Sequence, residues 1–167
     1  MIDLRADEIV IVENLKKYLN SGYRECEVIR QNQVAQLPPY DYVSYTRTTP
    51  VSAHGGTYSE TEDGTLYKNV TQTWSFTTHS DDQDRAMTLA LQIYDFFSAV
   101  GLTLLADNNI AVRQVRGVTT RDTLITIEYE YRNGLDVTFG LMYEITPPNG
   151  EVIETTQVGE RVIGSAN

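Results

Sequence analysis

Within the stretch HSDDQD, His79, Asp81, Asp82 and Asp84 bring one imidazole and three carboxylates into six consecutive residues. Groups of these types can hold a divalent cation, and carboxylate-bound metals hydrolyse phosphodiesters. The same residues can also start a helix. Ser80 and Gln83 have the S-x-x-Q spacing of a capping box, in which the serine accepts a backbone N–H and the glutamine reaches back. Asp81, Asp82 and Asp84 would then lie in the first turn, where the positive end of the helix favours carboxylates. Adjacent acids at one helix head diverge, whereas metal ligands converge from separate elements. The helix start is therefore the preferred reading, and a metal-dependent hydrolase using Asp81, Asp82 or Asp84 is the alternative.

The elements on either side support it. Upstream, LYKNVTQTWSFTT alternates Val70, Gln72, Trp74 and Phe76 with Thr71, Thr73, Ser75 and Thr77, the period of a half-buried strand at 66–78. Downstream, Ala86, Ala90, Ile93, Phe97 and Val100 recur at helical spacing over 85–101, and Gly101 offers a left-handed stop. A second helix is predicted over 4–20 from Ile9, Val12, Leu15 and Leu19. Short strands are expected near 25–33, 41–48 and 110–116, with a weak one after Pro147-Pro148 and Asn149-Gly150. In TLITIEYEYRNGLDVTFGLMYEI, a three-residue turn Arg132-Asn133-Gly134 would pair Tyr131 with Leu135, Tyr129 with Val137 and Ile127 with Phe139. That keeps one face apolar and puts Gly134 in a G1 bulge. Residues 49–65 have no hydrophobic period and contain three glycines and the acids Glu60, Glu62 and Asp63. They read as a long loop or the tip of a hairpin extension.

The pattern implies an α+β fold: a single domain over 1–167, with a mainly antiparallel β-sheet and two α-helices packed on one face. The tail 157–167 is expected to be flexible. The other sheet face, rich in Thr, Glu and Tyr, is left for water or a neighbour.

Thirteen basic and 23 acidic residues give a formal charge of −10. That argues against gripping nucleic acid by its phosphates and against docking on an anionic membrane. The one cysteine, Cys26, reads as a buried hydrophobe. No stretch approaches the roughly 20 apolar residues of a membrane span, so a soluble, cytosol-made protein is expected.

Other candidate chemistry is weak. His54 and His79 have no serine or cysteine partner at a catalytic spacing, and His54-Gly55-Gly56 reads as a bend. Glu128 and Glu130 share a strand face and read as solvated acids. Trp74 reads as core. No cofactor motif is present, so no enzyme is expected.

Three segments, LPPYDYVSYTRTTP, WSFTTHSDDQDRAMTLALQIYDFF and RDTLITIEYEYRNGLDVTF, together resemble the neck and tail-terminator proteins of tailed bacteriophages. Pro38, Pro39, Tyr40, Tyr45, Ser80, Tyr131, Arg132, Gly134, Asp136 and Val137 fit the family pattern. Asp41, Asn133 and Leu135 depart from it. The resemblance spans roughly 5–145. It implies a structural virion protein, assembled in the host cytoplasm, that forms a homo-oligomeric ring, usually a hexamer. The ring would sit at the head-proximal end of the tail tube and end its growth. Its implied partners are the tail tube protein, a neck or connector protein and, in contractile tails, the sheath. DNA would pass through the lumen without specific binding, with Glu60, Glu62 or Asp63 as candidate lumen or interface residues. Another neck or head-completion ring is the nearest alternative.

Overall fold

The computed structural model describes residues 4–22, 25–32, 36–52, 58–125 and 128–145. His54, the strand expected after Pro147-Pro148 and the tail 157–167 lie outside them.

The fold is built on two long strands, β4 (Leu66–Ser80) and β8 (Glu128–Ile145). They pair antiparallel without a bulge from Leu66 opposite Ile145 to Ser80 opposite Tyr131. At ~3.4 Å per residue this ribbon is about 50 Å long. Its period-2 pattern divides it cleanly. Val70, Gln72, Trp74 and Phe76 face inward with Leu135, Val137, Phe139 and Leu141, all of them buried. Thr71, Thr73, Thr77, Asp136 and Thr138 line the opposite face, only partly covered.

The remaining strands extend the ribbon. β2 (Tyr42–Ser52) pairs antiparallel with β4, and β1 (Glu27–Arg30) pairs parallel with β2. β5 (Ala111–Val115) pairs with the other side of β8, giving the order β1-β2-β4-β8-β5. Past the end of β2, the short β3 (Ser59–Glu60) pairs with Tyr67 and Leu66 of β4. β6 (Thr119–Thr120) and β7 (Thr123–Ile125) both pair with β8.

The expected turn at Arg132-Asn133-Gly134 is not formed. These residues lie within β8, opposite His79, Thr78 and Thr77, and the β7–β8 hairpin closes earlier, with Ile125 opposite Glu128. Val137 faces Trp74 across the ladder, so the expected Tyr129–Val137 pairing is wrong. The Asn-Gly pair is accommodated within a strand by its neighbours. Thr78 Oγ1 donates to the Asn133 carbonyl at 3.0 Å, and the space beside Gly134 is filled by Arg121, whose guanidinium would lie 2.6 Å from an added Cβ. Gly134 is therefore needed for close approach, and it has no positive φ.

Among the described residues three α-helices are present where two were expected. α1 (Leu4–Leu19) and α2 (Gln83–Asp95) form in the expected regions, with Leu15, Leu19, Ala86, Ala90, Ile93 and Phe97 buried as expected, but Ile9 and Val100 are exposed and α1 turns Ile11 to the core instead. α2 does not stop at Gly101. It passes through a π-turn over Phe96–Val100, closed by the Gly101 amide on the Phe96 carbonyl at 2.8 Å, and continues as α3 (Leu102–Asp107). Gly101 has φ −86°, and the left-handed residue after the helix is Asn109, at φ 60°. What demands glycine at 101 is space: an added Cβ would meet the Phe96 ring at 2.7 Å.

Side chains from the helices and the sheet form one core. Ile11, Leu15, Ile93, Phe97 and Leu105 join Val43, Trp74, Phe76, Val137 and Phe139. Phe97 bridges the layers, with ring centroids 5.0 Å from Phe76 and 5.4 Å from Phe139. Cys26 is buried here, and burial pushes its thiol up to about 12, so it behaves as the expected hydrophobe. Glu8 joins α1 to the sheet by accepting from the Tyr45 hydroxyl and from Arg47 Nη2 at 2.8 Å, while Arg47 lies 5.0 Å over Trp74.

Because φ at residue 101 suits any amino acid, Gly101→Ala would ordinarily stabilise a helical segment. Here the buried Phe96 ring blocks the added methyl, and a loss of about 1–3 kcal/mol is expected. Chemical denaturation of the two proteins measures it, and a stability gain in the variant would show that the ring yields freely.

Candidate functional site

At the head of α2 the polar residues are committed to the helix start, though not as a Ser80–Gln83 capping box. Ser80 is the last residue of β4 and is fully buried. Its hydroxyl donates to Asp41 and accepts the Asp82 amide at 3.1 Å. Asp82 is the cap, accepting the Arg85 amide at 2.9 Å, and Gln83 is the first helical residue, too early to reach back. The box was misplaced because β4 runs two residues further than its alternation implied. Asp81 pairs with Arg85 one turn on. Asp84 borders a cavity of about 440 Å3 together with Asp41, Arg85 and Cys26. Among the described residues, no three His, Cys, Asp or Glu side chains converge as metal ligands would.

The other member of the opening cluster, His79, has partners that its position in the chain conceals. Nε2 lies 2.8 Å from Ser44 Oγ on β2, and Nδ1 lies 3.2 Å from Glu130 Oε1 on β8. Arg132 donates to the second Glu130 oxygen, and the Tyr42 ring stacks on the imidazole at 4.4 Å. Ser44, His79 and Glu130 are all buried. This corrects two sequence readings: His79 does have a serine partner, and Glu130 is not a solvated acid. The signal was cross-strand register. Tyr42 opposite His79 and His79 opposite Arg132 place residues 35 and 51 positions away in one cluster, a relation that linear spacing does not show.

Burial pushes the His79 pKa down, and the opposing pull of Glu130 does not offset it. Burial is the largest influence on the Glu130 carboxyl and alone would raise it, but the interactions with Arg132 and His79 together outweigh burial and hold the group below its usual 4.5. Neutral His79 can therefore donate through Nδ1 to Glu130 and accept the Ser44 hydroxyl at Nε2. The order Ser–His–Glu is that of an acyl-transfer relay. Ser44 lies within β2, between Ile29 of β1 and Thr77 of β4, rather than on a strand-to-helix elbow, and with Tyr42, His79 and Arg132 it borders a cavity of about 360 Å3. The arrangement ties β2, β4 and β8 together where β4 leads into α2.

The acidic residues at the far end of the ribbon are exposed. Glu60 belongs to β3, and Glu62 and Asp63 lie in the turn before β4, where Gly64 has φ 82°. Thr61 and Thr65 donate to Asp63 and hold its carboxyl below the usual range.

The outer sheet face carries a feature that composition did not reveal. Arg121 lies flat over Gly134 and donates to Ser75 at 2.7 Å, Thr77 at 3.0 Å and Asp136 at 3.2 Å. Arg113 lies over Gly140 in the same manner, 2.5 Å from where a Cβ would sit.

Compared with known families, residues 10–165 match the model described as phage neck terminator protein. Comparison with curated proteins returns no match.

Two outcomes are expected from this geometry. Asp82→Ala should cost about 1 kcal/mol in denaturant unfolding, as loss of a helix cap does. The unfolded chain takes up a proton at histidine near pH 6.5, whereas folded His79 resists it. The stabilisation is thus complete above that pH and is lost as the pH falls through it, with the Glu130 contribution lost further down, below 4.5. His79→Gln should flatten the decline in melting temperature between about pH 7 and pH 5. An unchanged slope in that variant would place the titrating group elsewhere.

Proposed function

This chain belongs to the phage neck terminator family, and on that premise we propose that it is the subunit of a ring that closes the head-proximal end of a tail tube. The observation that carries the reading is the family match over residues 10–165, almost the whole chain. The ring, of six copies, halts tube growth and offers the neck or connector a joining surface; in a contractile tail it also meets the sheath. It acts in the virion, after assembly in the host cytoplasm.

The mechanism is geometric. One face of the ring matches the tube end, and the other does not repeat the tube lattice, so no further tube subunit can add. The structure supports this in three respects. The long ribbon is a stiff spine. Strands β1 and β5 leave edges on which neighbours can pair. Ser44, His79, Glu130 and Arg132 are engaged with one another across three strands, which suits a rigid building block. Six copies carry a formal charge of about −60, which discourages passing DNA from adhering to the lumen.

The test is a phage in which this gene is disrupted. The expected result is filled heads without attached tails, together with tubes longer than those of the parent, both reversed when the intact chain is supplied. Normal-length tails joined to heads would overturn the proposal.

A further inference from the structure

The two glycine-seated arginines of the outer sheet face differ in one respect. Arg121 has a carboxylate, Asp136, and two hydroxyls within reach. Arg113 is exposed, has its Nε 2.5 Å from where a Gly140 Cβ would sit, and has no ion-pair or hydrogen-bond partner among the described residues. A guanidinium held against the sheet has lost part of its rotamer freedom before it meets a ligand, so less is lost on binding. Arg116, three residues on, is also exposed, and only its backbone amide is engaged, with the Asp136 carbonyl. From 108 to 121 the chain has three arginines and no acid, although acids outnumber bases overall by ten. This basic strip lies along β5, the terminal strand of the sheet among the described residues.

The acidic turn has the opposite character. From 57 to 67 there are three acids and no base. Asp63 is occupied by Thr61 and Thr65, but Glu60 and Glu62 have no side-chain hydrogen bond or ion pair among the described residues. The turn lies on the opposite side of the ribbon from β5, at β3, beyond the end of β2. The sheet therefore carries unpaired cations at one edge and unpaired carboxylates at the other.

We propose that the β5 edge of one copy, through Arg113 and Arg116, receives the acidic turn of a second copy, through Glu60 and Glu62. The contact is heterologous, with two different patches on opposite sides of one chain, which is the type that closes a ring. It rests on the ring reading above and deepens it by assigning the subunit contact. It also moves Glu60 and Glu62 from the lumen wall to the interface. Charge complementarity at such an edge sets register and suppresses like-charged mispairing in an acidic chain.

The experiment is a charge swap on the full chain, with assembly read by light scattering and native mass spectrometry over a concentration series. R113E/R116E and E60R/E62R should each raise the concentration for half-assembly by about tenfold or more. Neither should shift the melting temperature, since all four side chains are exposed. Mixing the two variants should restore assembly with strict alternation, and the fourfold variant should assemble alone. Wild-type-like assembly of either single-patch variant would overturn the contact while leaving the ring intact. So would failure of both the mixture and the fourfold variant. A parent chain that stays monomeric at every attainable concentration would also overturn the contact, and the family role would still be decided by the gene-disruption phenotype.

Discussion

The unbroken pairing of β4 with β8 is the constraint on which the rest of the molecule depends. In a strand the side-chain period is two, so one register assigns every residue of both strands to a face. With Leu66 opposite Ile145 and Ser80 opposite Tyr131, the inner face receives Trp74, Phe76, Val137 and Phe139. A slip of β8 by one residue would turn Leu135, Val137, Phe139 and Leu141 outward, each worth roughly 2–3 kcal/mol of burial, and would put Asp136 and Thr138 in the core. The helices pack onto the surface this register creates. Phe97 enters between Phe76 and Phe139, and Glu8 of α1 reaches Tyr45 and Arg47 on β2, which is itself aligned by β4.

The same register produces the outer face. Gly134 and Gly140 lie on that face six residues apart, and each admits an arginine from beyond the strand. Glycine weakens a strand, having nothing to pack and more entropy to lose. Here the loss is offset by what covers the gap. At Gly134 a guanidinium spans Ser75, Thr77 and Asp136 and so couples β4 to β8 through side chains as well as backbone. At Gly140 the cover is Arg113, which has no such partner within the described residues and directs its charge outward. One packing device thus serves as a clamp at one position and as a presented cation at the other.

Much of this was legible in the sequence where a single physical signal dominated. The alternation through Trp74 and Phe76, the existence of α1 and the buried stripe of α2 through Ala86, Ala90 and Ile93 each follow from periodicity. Cys26 and Trp74 are buried as their types suggested. The misreadings occurred where one residue type serves two purposes. Asn133-Gly134 has turn chemistry, but its glycine is there for Arg121. Gly101 looks like a helix stop, but its missing Cβ makes room for Phe96, and the helix continues to Asp107. The capping box shifted by two residues because Ser80 still belongs to the ladder. The site was less legible than the fold. Ser44, His79 and Glu130 meet only through strand pairing, and a linear sequence without the register does not place them together.

The buried polar network bears on what kind of protein this is. Ser44, His79, Glu130 and Arg132 could have formed a relay, but each is also fixed by strand pairing or by a second partner. A nucleophile needs an approach route and a nearby site for developing negative charge. A latch needs the opposite: every donor matched, little exposure, and attachment to several elements at once. A cavity of about 360 Å3 borders Ser44, His79 and Arg132, and the same residues also have the attachments of a latch. Ser44 comes from β2, His79 from β4 and Glu130 from β8, and the link sits one residue before Ser80, whose hydroxyl holds the Asp82 amide at the entrance to α2. Fixing three strands there fixes the angle at which α2 leaves the sheet, and with it the placement of every surface that α2 and α3 present. In a subunit whose proposed work is to match one ring of neighbours and reject the next, that angle is a functional quantity, and the buried charges hold it.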